Sequence, residues 1–210
     1  MDKINSAPQA TPQPASAFIL VSHRQMNLEQ LLKECKKGSV TAQKYLYDQY
    51  AVSMFLLCRR YVRSDEAAEE VMMNGFLKCF SALPGFQYVN EPATVGWLRK
   101  IMISQCLMHL RQGSFLGVAL DEAPEPVADE EILDGLSAAE IFKLITQLPV
   151  GYRTVFNLYA IENYSHKEIS EQLGISEGTS RSQLSKARTM LQGLLISTNS
   201  DYAARRTETK

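Results

Sequence analysis

Apolar positions recur at spacings of three and four along most of the chain, a period that predicts helices rather than strands. Leu28, Leu31, Leu32 and Cys35 share one face of a predicted helix from Leu28 to Lys36, which Gly38 ends. Ser39 is placed to cap a long second helix over 40–62, with Tyr45, Leu46, Tyr50, Met54 and Leu57 on its apolar face. Ser64 or Asp65 can cap a third. Glu66, Glu69 and Glu70 fall in its first turns, where the helix dipole favours negative charge. Val71, Met72, Phe76, Leu77 and Phe80 supply its apolar side, and Pro84-Gly85 stop it. A loop over 86–94 leads to a fourth helix over 95–111. Four more are predicted over 137–148, 151–162, 165–173 and 176–196. No segment shows the period of two that a half-buried strand needs, so the fold class is all-α.

The helical pattern lapses in three places. Residues 1–26 are rich in Pro, Gln, Ala and Ser, 113–135 in carboxylates and Pro, and 198–210 in polar groups. Such stretches bury too little apolar surface to fold alone. They predict a disordered N-terminal tail, a flexible acidic linker and a polar C-terminal tail, with two small helical domains over 27–112 and 136–197.

Composition narrows the function. The chain is 45% hydrophobic, enough for a packed core, yet apolar runs such as 52–58 fall far short of the ~18 residues of a membrane span. Residues 17–21 are too short for the apolar part of a secretory signal, so a cytoplasmic location is expected. Cys35, Cys58, Cys79 and Cys106 are too widely spaced for zinc and read as small buried hydrophobes, kept reduced. No metal or cofactor is expected. The net charge of −1 counts mildly against a DNA binder, because duplex affinity comes largely from neutralised phosphates. The average hides segregation. Asp121, Glu122, Glu125, Asp129, Glu130, Glu131 and Asp134 form an acidic block, while Arg181, Lys186 and Arg188 cluster without an acid among them.

Residues 164–191 have the layout of a helix-turn-helix. Ser165 caps a helix whose Ile169 and Leu173 face inward, and Gly174 stands where the chain turns and a left-handed backbone is easiest for glycine. Ile175 fills the gap, and Ser176 caps the second helix. Ser180, Leu184, Ala187 and Leu191 form its inward stripe. At 100° per residue, Ser182 and Lys186 point outward, with Gly178, Thr179 and Ser185 beside them and Arg181 and Arg188 on the flank. A recognition helix in a major groove needs that layout: short polar and basic groups toward base edges, arginines toward phosphates. Ser165 and Lys167 are placed to meet the DNA backbone. Plain helical packing also produces this geometry. The two capping serines, the turn glycine and the basic face in one register favour DNA.

Residues 27–112 alone read as a helical bundle, with two features beyond that. Val71, Met72 and Met73 follow one another on the acidic-headed third helix and cannot all face one core. Either the helix is buried on two sides or part of it meets a partner. The stretch from Phe86 into the fourth helix joins Phe86, Tyr88 and Trp97 with Arg99, Lys100, His109 and Arg111. Rings and cations of this kind hold unpaired nucleic acid. The Trp97 ring can equally anchor the bundle, and its bulk favours that role.

The run from Leu148-Pro149 through Arg153, Glu168-Ile169, 173–176, Gly178-Thr179, Ser182 and Ala187-Arg188 resembles region 4 of the extracytoplasmic-function (ECF) sigma factors of the sigma-70 family, with Ser170 at a usual alanine. GSVTAQKYLYDQY, SDEAAEEVMMNGFLKCF and GWLRKIMISQCLMHLRQ are similar to region 2 of the same family. Met73, Asn74, Gln87, Ser104 and Met108 depart from the family's usual residues. The likeness runs in the family's order from about residue 28 to 195.

The resemblance implies an alternative sigma factor, a non-catalytic partner of core RNA polymerase and promoter DNA, monomeric when free and open to an anti-sigma partner. Ser182, Ser185 and Lys186 would face bases of the −35 element, and Thr179, Arg181 and Arg188 its phosphates. Phe86, Tyr88, Asn90, Trp97, Arg99, Lys100, Ser104 and Arg111 would take the melted −10 element. Asp65, Glu69, Glu70, Met72, Met73 and Asn74 would dock on the polymerase. Its rival is a dimeric helix-turn-helix regulator reading a palindrome, with residues 27–112 as a sensing or dimerisation domain. Against an enzyme stand the missing phosphate loop, nucleophile–histidine pair and metal cluster, with His23, His109 and His166 scattered.

Overall fold

The computed structural model describes residues 26–113 and 137–198, and among them every regular element is helical. The expected tails and acidic linker lie, edge residues apart, outside the described residues. Four helices form an N-terminal bundle: α1 Leu28–Lys36, α2 Val40–Tyr61, α3 Asp65–Ala82 and α4 Glu91–Gln112, with a 3-10 turn at Leu83–Gly85. The C-terminal unit holds α5 Ala138–Gln147, α6 Val150–Phe156, a π-helical turn Asn157–Ile161, α7 His166–Leu173 and α8 Glu177–Thr198.

The helices begin where side chains accept otherwise orphaned backbone N–H groups. Asn27, Ser39, Ser64, Asn90, Ser137, Ser165 and Ser176 each accept from the N–H three residues on, at 2.8–3.3 Å. Each such cap contributes about 1 kcal/mol. The fourth helix starts at Glu91, four residues before the expected position. Asn90 caps it and Pro92 sits in its first turn, where a missing N–H costs nothing. The helix expected over 151–162 is α only to Phe156 and then widens into the π-turn.

Leu46, Met54, Leu57, Cys58 and Tyr61 of α2 are buried against Val71, Phe76 and Cys79 of α3 and Leu98, Met102 and Cys106 of α4. Each large side chain so buried contributes about 1.5–3 kcal/mol. Gly75 lets α3 and α4 cross closely: a Cβ there would lie 2.2 Å from Sδ of Met102. All four cysteines are buried free thiols, and burial pushes Cys35 up to about 11 and Cys79 up to about 12. The two units do not bury separate interiors. Leu144, Ile145 and Leu148 of the α5 segment join the same apolar cluster as α2.

Candidate nucleic-acid interface

The helix-turn-helix stands on local chemistry. Ser165 and Glu168 form a reciprocal capping box: the Ser165 N–H and hydroxyl donate to Glu168 Oε2 at 2.8 and 2.7 Å. Those bonds hold the Glu168 carboxyl below the usual carboxylate range. Gly174 takes the left-handed conformation at φ 69°, and its N–H donates to Ser170 O at 2.9 Å. The inward stripe of α8 is as expected: Ser180, Ala187 and Leu191 are fully buried and Leu184 nearly so. Ser180 is the polar member of the stripe, and its hydroxyl meets Nδ1 of His166 at 2.9 Å. The His166 ring stacks on Tyr159 with centroids 4.6 Å apart. Burial, then the positive charge of Arg181, holds His166 below its ordinary value.

The outward face of α8 presents Arg181 and Ser182 as exposed, with Thr179, Ser185, Lys186 and Arg188 partly exposed. It is not wholly acid-free, because Arg181 pairs with Glu177 at 2.7 Å. Thr179 Oγ1 lies 2.9 Å from Ser176 Oγ. The Ser165 hydroxyl, expected on DNA phosphate, is committed to the Glu168 carboxylate, so a second anion there meets a like charge. Lys167 next to it is exposed.

The α4 face is arranged differently from its expectation. Phe86 and Trp97 stack on each other with centroids 4.2 Å apart, so each ring has one face already covered. The Asn90 side chain accepts from Ala93 N–H at 2.8 Å as the α4 cap, which fixes its orientation. Tyr88 is half-buried, and Lys100 and Ser104 are exposed. Arg99 pairs with Glu162 of the C-terminal unit at 2.7 Å, and Arg111 donates to the carbonyl of Gln172. Lys100, Ser104 and Arg111 share a 390 Å3 cavity with Tyr164, Glu168 and Gln172 across the seam.

The head of α3 shows Asp65, Glu69, Glu70 and Asn74 exposed, with Met73 at 48% and Leu77 at 62%. Met72 is the correction here: it is 5% exposed, because one turn of helix aims it with Val71 and Phe76 into the bundle. Backbone and Ser64 hydrogen bonds hold the Glu66 carboxyl below its usual range.

Sequence reasoning passed over the residues that join the two units. Arg153 is buried, donates to Tyr61 O at 2.8 Å and to Thr146 O and Leu148 O at 3.3 Å, and is lowered to about 10 by burial. Asn157 Nδ2 donates to Arg60 O at 2.9 Å. Arg63 donates to the carbonyls of Thr146, Gln147 and Leu148 at 3.1 Å. The available signal was Arg153 and Asn157, one turn apart in a mostly apolar segment.

The sequence model of sigma-70 region 2 matches residues 46–115 and that of sigma-70 region 4 matches residues 138–191, together more than half of the chain. The ECF RNA polymerase sigma factor SigM of Mycobacterium tuberculosis is 27% identical over 188 residues, covering 88% of this chain and 92% of its own. The ECF RNA polymerase sigma factor SigW of Bacillus subtilis is 26% identical over 182 residues, covering 80% and 96%. Among solved structures, that of CnrH in complex with the cytosolic domain of CnrY covers 80% of this chain and 97% of its own at 20% identity, with a TM-score of 0.44.

Proposed function

The chain belongs to the extracytoplasmic-function sigma factors of the sigma-70 family, and we propose that it directs transcription initiation by holding a promoter at two elements on core RNA polymerase. The observation that carries this reading is the colinear pair of region 2 and region 4 matches, with a correctly capped helix-turn-helix in the second. The protein works by binding: it supplies surfaces, and no bond is made or broken by its side chains. No described helix is long and apolar enough to cross a membrane, and the proposed place of action is the cytoplasm.

In this reading α8 enters the major groove of the −35 element. Ser182, Ser185 and Lys186 reach base edges, while Arg181, Arg188, Thr179 and Lys167 hold phosphates. The α4 face, with Arg99, Lys100, Ser104 and Arg111, takes the unpaired −10 strand, and Tyr88 and the Phe86–Trp97 stack offer it ring faces. Asp65, Glu69, Glu70, Met73 and Asn74 on α3 dock on the polymerase, the apolar Met73 among carboxylates giving both burial and register. An anti-sigma protein is a further proposed partner of the otherwise monomeric factor.

The test is in vitro transcription with cognate core polymerase and a library of genomic promoter fragments. Specific transcripts that require this protein are expected. Their absence with a folded protein, together with a dimer on a palindromic site, would overturn the reading.

A further inference from the structure

Lys36 stands apart from the other lysines of α1. Lys33 and Lys37 pair with Glu29 and Glu34, each at 2.7 Å, whereas Lys36 has no carboxylate partner among the described residues. Its ammonium donates instead to the backbone carbonyl of Phe86, 50 residues along the chain. None of the roles above uses this bond.

The bond falls at the start of the irregular stretch between α3 and α4, residues 86–90. There the Phe86 N–H donates to Leu83 O at 3.0 Å, and the Phe86 ring stacks on Trp97. At the far end Asn90 is tied to α4: its side chain accepts from Ala93, and its carbonyl accepts from the N–H and hydroxyl of Thr94 at 3.1 and 2.9 Å. Between these ends, no backbone group of Gln87, Tyr88 or Val89 has a hydrogen-bond partner among the described residues. Burial alternates, with Phe86 and Tyr88 half-buried and Gln87 and Val89 exposed, as in an extended chain whose successive side chains point to opposite sides. The facing of such a stretch is set by the peptide plane at its start. Lys36 turns the Phe86 carbonyl toward α1. The Gln87 N–H then points the opposite way, because C=O and N–H are antiparallel across a trans peptide. That donor has no partner in the described chain.

We propose that Lys36 is a positioning residue for the −10 strand: by holding the Phe86 carbonyl it sets which side of residues 86–90 an unpaired base meets. The inference rests on reading this stretch and α4 as the strand-binding face. The rival role for an exposed lysine here is a phosphate contact of its own, and the two differ in what they change. A phosphate contact adds affinity to every sequence alike, and its loss lowers the salt slope by about one. A fixed peptide plane changes how well one base is told from another and leaves the number of neutralised phosphates as it was. A single exposed bond of this kind stabilises the fold little, so its loss separates positioning from folding.

The test uses holoenzyme assembled from core polymerase and the full chain, as wild type, K36M or K36R. Transcription from a promoter library randomised at the −10 element reads the ratio between best and worst base at the most selective position. Binding of a fork-junction DNA with an unpaired −10 strand, titrated with sodium chloride, reads the salt slope. K36M is expected to narrow the base ratio by about fivefold, and K36R, which keeps a charged donor, to restore it. Both are expected to keep the wild-type melting temperature, salt slope and co-purification with core enzyme. A wild-type base ratio in K36M, failure of K36R to restore the ratio, or uniform weakening with the salt slope lowered by about one would each overturn the proposal. Y88A separates this from the premise. A changed ratio in Y88A beside a wild-type ratio in K36M would overturn the role of Lys36 alone. A wild-type ratio in Y88A would show that the stretch does not face the strand, and the proposal would fall with that reading.

Discussion

Replacing Gly75 with alanine tests the closest helix crossing in the bundle. The new Cβ would lie 2.2 Å from Sδ and 2.9 Å from Cε of Met102, well inside contact distance. Met102 is fully buried between α2, α3 and α4, so its side chain has little room to retreat. Overpacking of this kind costs about 1–3 kcal/mol. Alanine gives back about 1 kcal/mol of helix propensity over glycine. The net expectation is destabilisation by about 0–2 kcal/mol. With a urea m-value of about 1–2 kcal/mol/M for a unit of this size, the unfolding midpoint falls by up to roughly 1 M. Trp97 is the chain's one tryptophan and stacks inside this bundle, so its fluorescence follows this unit. Met102→Ala alone costs about 2–5 kcal/mol as a cavity. Combined with Gly75→Ala, the two should cost at least about 1 kcal/mol less than their sum, because each relieves the other. A midpoint for Gly75→Ala above that of the wild type, or full additivity with Met102→Ala, would refute the crossing distance.

The remaining predictions concern the binding faces and the helix-turn-helix. Lys186→Ala is expected to weaken promoter-specific initiation while leaving polymerase binding intact, read by transcription and by co-purification with core enzyme; equal loss of both would contradict the role. Met73→Asp, at an exposed position, is expected to lower core-polymerase affinity by about tenfold with little change in melting temperature; undiminished affinity would remove α3 from the docking face. Acid should loosen the C-terminal unit through His166. Its folded pKa lies below the ordinary 6.5, so the unfolded chain takes up the proton first. Stability from this group is full above about pH 6.5 and falls as the pH drops below it. Melts of the wild type and His166→Gln between pH 7.5 and 5 measure the difference, and parallel curves would exclude the effect.

The helix-turn-helix was legible because its signals are local. Ser165, Gly174 and Ser176 act on backbone within a turn of themselves, and the stripe from Ser180 to Leu191 follows from helical period alone. The start of α4 was legible too but misread, since Asn90-Glu91-Pro92 serves a loop or a first turn equally well until tertiary packing decides. Met72 illustrates the limit of period on a helix buried on a broad face: three apolar neighbours in a row do not say which one faces out. The seam had almost no local signature. Whether Arg60, Arg63, Arg153, Asn157 and Glu162 meet depends on how two helical units pack, and the π-turn that aims Glu162 replaces α-geometry without any Gly or Pro inside it to announce it. The commitment of Ser165 to a cap was predictable; that the caps at Ser165 and Asn90 restrict those groups follows only from the bond geometry.

The placement of the thiols makes the protein its own clock for local opening. Cys35, Cys58, Cys79 and Cys106 lie one on each of α1 to α4, and the sequence after Cys106 holds no other. Each is buried, and for Cys35, Cys79 and Cys106 burial also suppresses the thiolate, the form that reacts. An alkylating pulse therefore marks a helix only in molecules where that helix has come away from the bundle. Peptide mass mapping of the marked sites would rank the four helices by opening free energy in a single sample. With core polymerase added, the same ranking would show which of them the enzyme clamps.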